Sequence, residues 1–137
     1  MADDVVLNKA ASIERCLQRV REEYAGDDKN LVANQTKQDA IILNLQRACE
    51  TSIDLAMYVI SRRRLGIPQD SRDAFTLLQT GGILPTELAT RMQRMVGFRN
   101  VAVHEYTRLN LEVVRSIVTK QLDDFLAFSS AMVKAFP

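Results

Sequence analysis

The sequence predicts an all-α fold: an up-and-down helical bundle of four long helices plus one short helix, with sequential neighbours antiparallel. Three observations carry that expectation. Apolar residues recur at steps of three and four along most of the 137 residues. Glycine and proline are rare and cluster at Gly26, Gly66-Ile67-Pro68, Gly81-Gly82 and Pro85, which read as breaks between helices, with Gly97 as the exception. No segment alternates with period two for long enough to form a strand.

The first helix is expected on Val6, Ala10, Ile13, Leu17, Val20 and Tyr24, a 4-3-4-3-4 spacing that lines one face, and Ala25-Gly26-Asp27-Asp28 ends it. The second is expected from about Asn30 to Arg64. Its stripe of Ile41, Leu45, Ala48, Ser52, Leu55 and Val59 is widened by Ile42, Cys49, Ala56 and Ile60, as for a central helix packed on several sides. Asp70-Ser71 can cap a short helix through Thr80, with Phe75 and Leu78 facing inward, and Gly81-Gly82 stops it. Pro85 fits the first turn of a fourth helix. Asn110 is expected to cap the last helix, which carries Leu111, Val114, Val118, Leu122, Phe125 and Met132.

This length suits one domain over 1–137 and buries a core without disulfide or metal staples. Cys16 and Cys49 read as reduced thiols inside helical patterns. One histidine and no Cys-x-x-Cys make a zinc site a poor expectation, and neither metal nor cofactor is expected. Eighteen basic and 17 acidic residues give a net charge of +1, which excludes a broad basic field for nucleic acid. Contact with RNA would have to be local and its salt dependence modest. No apolar run approaches the roughly 20 residues of a membrane span. The start, Met1-Ala2-Asp3-Asp4, lacks the pattern of a signal peptide, so a cytoplasmic location is expected.

The fourth helix holds the anomaly. Its stripe runs Leu88, Met92, Met95, position 99, Ala102 and position 106, and position 99 is Arg99. A guanidinium on an apolar stripe must find a partner or carry its head to water along a packed stem. His104, the only histidine, lies five residues further on. At 3.6 residues per turn the two side chains would diverge by about 140°. Either the helix unwinds near His104, or the two meet across two copies of the segment. Tyr106, seven residues after Arg99, would share its face if the helix persists.

Arg99, His104 and Tyr106 form Arg-x4-His-x-Tyr. This resembles the signature of the HEPN superfamily, Arg-x4-6-His, in the form found in HepT-like toxins. Asn100 fits the polar residue usual at the motif's second position. Arg47-Ala48-Cys49-Glu50, Ile53-Asp54-Leu55-Ala56, Phe75-Thr76-Leu77-Leu78, Ile83-Leu84-Pro85 and Met95, Gly97 and Phe98 continue the likeness, which spans about residue 5 to residue 130. The resemblance implies the HEPN fold and a metal-independent endoribonuclease that is the toxin of a toxin–antitoxin pair. It also implies a homodimer with both motifs facing one cleft, and an MntA-like nucleotidyltransferase antitoxin. That partner would transfer AMP to the motif tyrosine, Tyr106, and silence the toxin.

The residues suit such chemistry. RNA carries its own nucleophile, the 2′-hydroxyl, and cleavage needs a base, an acid and positive charge on the phosphorane-like transition state. His104 can carry protons near neutrality and Arg99 can grip phosphate oxygens. A symmetric dimer would supply two of each. Asn100 either orients the phosphate or caps a broken helix end. Asp54 either anchors Arg99 or is a solvated carboxylate. Arg62-Arg63-Arg64 either suits the helix dipole or offers a docking patch for RNA or antitoxin. The alternative reading is a non-catalytic helical subunit that binds substrate for a minimal nucleotidyltransferase.

Overall fold

The computed structural model describes residues 3–136; Met1 and Ala2, half of the acidic start, and Pro137 lie outside the described residues. Helix α1 spans Asp4–Tyr24, α2 Lys29–Val32, α3 Gln35–Arg63, α4 Ser71–Thr80, α5 Thr86–His104, α6 Leu111–Ser116 and α7 Leu122–Lys134. There is no strand among the described residues.

Helix α1 starts where the Asp3 carboxylate accepts from the amides of Val5 and Val6, satisfying donors that the first turn leaves free. It ends at Ala25, which turns into the left-handed region at φ 49°. The expected second helix divides. Residues 29–32 make one separate turn, and α3 begins only after Asn34, whose side chain accepts from the Lys37 amide at 3.0 Å. The extended backbone of Asn34, φ −130° and ψ 102°, is what interrupts the helix. Pro85 stands just before α5 rather than in its first turn.

The last helix also departs from a uniform one. Asn110 caps α6 as expected, accepting from the Glu112 amide at 2.8 Å, but a π turn over Ile117–Gln121 separates α6 from α7. Val114, Val118 and Leu122 are spaced four and four, wider than 3.6 residues per turn, and the π turn keeps all three buried.

The broad stripe of α3 forms the centre. Ile41, Leu45, Ala48, Leu55, Ala56 and Val59 are fully enclosed, with α1, α4, α5 and α7 packed around them. Phe75 of α4 meets Phe128 of α7 edge-on, ring centroids 5.6 Å apart. Cys49 is buried and Cys16 half-buried; both are free thiols, and burial pushes the Cys49 thiol far up. Arg63 at the end of α3 donates to the Ala135 carbonyl at 2.7 Å, so part of the basic triplet ties down the C-terminal end of the bundle. Among the described residues, no helix is long and apolar enough to cross a membrane.

Candidate functional site

The last two turns of α5 and the turn after it carry the motif. Leu88, Met92, Met95 and Ala102 hold one face of α5 in the core. Arg99 stands on that face with its side chain 29% exposed. Its Nη2 lies 3.5 Å from Glu50 of α3, and its Nη1 donates to Asn100 Oδ1 at 3.2 Å. Its Nε is buried with no hydrogen-bond partner among the described residues. A long pair with a half-exposed carboxylate is a weak hold. The guanidinium is therefore positioned by its stem and keeps donor capacity in reserve.

Asp54 does not anchor Arg99. It is exposed on α3, one turn beyond Glu50. Chain register decides this: antiparallel packing sets residue 50 opposite residue 99.

The helix persists through His104, which is exposed and is its last residue. Unwinding before the histidine does not occur, so Arg99 and His104 diverge by about 140° around α5. Glu105 then leaves helical geometry at φ −141°, and Tyr106–Arg108 form a 3-10 turn. That turn, not a continued helix, carries Tyr106 toward α3. Its hydroxyl donates to Asp39 Oδ1 at 2.5 Å. Partial burial, and then the Asp39 carboxylate, push the Tyr106 phenol up to about 12. One helix thus holds both ends of the motif, Arg99 through Glu50 and Tyr106 through Asp39.

Asp39 and Glu50 are residues that the sequence reading did not single out for the site. A signal existed. Eleven residues on α3 make three turns, so Asp39 and Glu50 return to one face of that helix. Arg72 was missed as well. It is exposed on α4, and its Nη2 would lie 3.0 Å from a Cβ placed on Gly97. The helical glycine thus gives the guanidinium room. Gly97, Asn100 and His104 follow at helical spacing on one face, and Arg72, Asp70, Ser71, Val96 and Asn100 line a hollow of about 180 Å³.

Two more hollows, of about 330 and 270 Å³, share Phe98 and Val113 along α5 and α6. Another hollow, of about 370 Å³ beside Arg21 and Asp123, shares no residue with the motif. Among the described residues, no group of three His, Cys, Asp or Glu side chains is arranged to hold a metal ion.

Residues 13–132 match the family described as Ribonuclease HepT-like. The chain is 44% identical over 126 residues to the mRNA nuclease HepT of Shewanella oneidensis, covering 92% of this chain and 94% of that protein. It is also similar to the solved structure of a tri-AMPylated Shewanella oneidensis HEPN toxin in complex with MNT antitoxin. The TM-score is 0.90 at 43% identity, over 95% of this chain and 97% of the other. A toxin–antitoxin structure with AMP-PNP matches with a TM-score of 0.90 at 42% identity, over 95% and 98% of the two chains.

Proposed function

The chain belongs to the HepT-like ribonuclease family, and from that premise we propose that it is the endoribonuclease toxin of a toxin–antitoxin pair. The observation that carries the reading is Arg99, a cation on a core stripe with an unpartnered Nε, five residues before the only histidine. The whole chain acts as one HEPN domain in the cytoplasm, where its RNA substrate is.

Arg99 binds the scissile phosphate and stabilises its transition-state charge, while His104 moves protons to and from the 2′- and 5′-oxygens. Asn100, bonded to Arg99, orients the guanidinium. No metal is needed, because the substrate supplies the nucleophile. Since the two side chains diverge around α5, the site forms at the axis of a homodimer, with Arg99 of one chain beside His104 of the other.

The neutralising partner is an MntA-like nucleotidyltransferase that transfers AMP to Tyr106. The AMP phosphate adds negative charge and bulk near Arg99 and excludes RNA.

The purified chain is expected to cut defined RNAs in EDTA and to leave cyclic phosphate ends. Arg99→Ala and His104→Ala are each expected to lower the rate by about 10²–10⁴-fold. A wild-type chain that neither cuts RNA nor slows growth when expressed alone would leave only the substrate-binding subunit. A forced monomer as fast as the dimer would remove the shared cleft.

A further inference from the structure

We propose that Asp39 is the proton acceptor for AMP transfer to Tyr106, so that this chain supplies the base for its own silencing. The inference rests on the reading of Tyr106 as the modified residue.

A phenol attacks phosphorus well only as its proton leaves. Tyr106 Oη forms a bond to the α-phosphorus of the nucleoside triphosphate, and the bond from that phosphorus to the bridging oxygen breaks. Pyrophosphate departs and the phenolic proton passes to Asp39 Oδ1, the atom that already accepts it. The Tyr106 phenol ionises only far above neutrality, so it arrives protonated and needs such an acceptor.

All three tyrosines donate to an aspartate, which makes the comparison among them informative. Asp28, the acceptor for Tyr24, is clamped by Arg115 at 2.8 and 2.9 Å, and its carboxyl is held low by that guanidinium. Asp3, the acceptor for Tyr58, also caps α1 through two backbone amides; its carboxyl is lowered first by the Tyr58 hydroxyl and then by those amides. Both carboxylates are occupied by structural work, and neither phenol belongs to the motif.

Asp39 differs. Its only other donor among the described residues is the neutral amide of Gln35, at 2.8 Å on the same Oδ1, and no cation pairs with it. The Gln35 contact fixes the carboxylate's orientation without offsetting its charge. Tyr106 and Asp39 are both exposed, so a partner's active site can reach them together.

The test uses this chain in complex with its nucleotidyltransferase, with ATP and magnesium, and follows the mass gain per chain. Wild type is expected to gain AMP and Tyr106→Phe to gain none. Asp39→Asn, close in shape, is expected to slow the maximal rate about 10²-fold without raising the KM for ATP. Its residual rate should climb with pH as the phenol ionises unaided, and Asp39→Glu should recover part of the loss. Denaturation midpoints of the variants check that each is folded. An Asp39→Asn rate equal to wild type, or a defect confined to KM with no change in pH profile, overturns the assignment. No mass gain in wild type, or gain in Tyr106→Phe, instead overturns the reading of Tyr106 on which it rests.

Discussion

Arg99 and Tyr106 lie at two ends of one motif and face the same helix through different carboxylates. The Arg99 contact is long and leaves Nε without a partner among the described residues, as the proposed phosphate-binding role asks. The Tyr106 contact can be read directly by titration. Its phenol is raised from 10.0 to about 12, first by burial and then by Asp39. A raised phenol favours the folded state while it stays neutral. That contribution is complete below about pH 10 and is lost as the pH rises through about 12. Alkaline difference spectra of wild type against Tyr106→Phe should therefore show a phenol ionising near the top of that window. The wild type should also lose more stability across it than Tyr106→Phe. A difference spectrum centred at 10 would mean that neither burial nor Asp39 holds the phenol neutral.

At the scale of the element, α5 combines a core face, a functional face and an interior glycine. Glycine in a helix interior costs roughly 1 kcal/mol relative to alanine, so Gly97 stands against local propensity. A methyl group at position 97 would meet only the far end of the Arg72 side chain, 3.0 Å away, and that side chain is exposed and free to swing. Gly97→Ala is accordingly expected to raise unfolding free energy in urea by about 0.5–1 kcal/mol while displacing Arg72. A loss of stability would show that the guanidinium is held in place. The end of α5 is equally local in origin. Glu105 leaves the helix, and the 3-10 turn then brings Tyr106 back to α3.

Across the whole molecule, α3 is the axis on which the other helices and both motif contacts depend. Phe75 packs edge-on against Phe128 in the core, both almost wholly enclosed. Phe128→Ala is expected to cost about 3–5 kcal/mol, a large share of the roughly 5–15 kcal/mol by which such a domain is stable. Urea denaturation checks it, and a loss below about 1 kcal/mol would place Phe128 outside the cooperative core. The net charge of +1 gives the molecule no general basic field for nucleic acid.

The helical class, most of the buried faces and the motif were legible in the sequence. They depend on side-chain periodicity and on caps, which act over a few residues: Asp70 for α4, Asn110 for α6, the wide stripe of α3. Arg99 was visible for the same reason, as a charge where the period asks for an apolar group. The break at Asn34 and the π turn after Ser116 were local too, but each shifts the pattern by only a residue or so, which periodicity tolerates. Which carboxylates meet the motif was settled by the packed chain alone. Only Asp54 was a candidate from the sequence, although Asp39 and Glu50 are carboxylates on the same helix. The antiparallel register of α3 against α5, together with the 3-10 turn after His104, gives Glu50 to Arg99 and Asp39 to Tyr106 and leaves Asp54 in solvent. Such register is set by how whole faces pack, a long-range property that no short stretch of sequence contains.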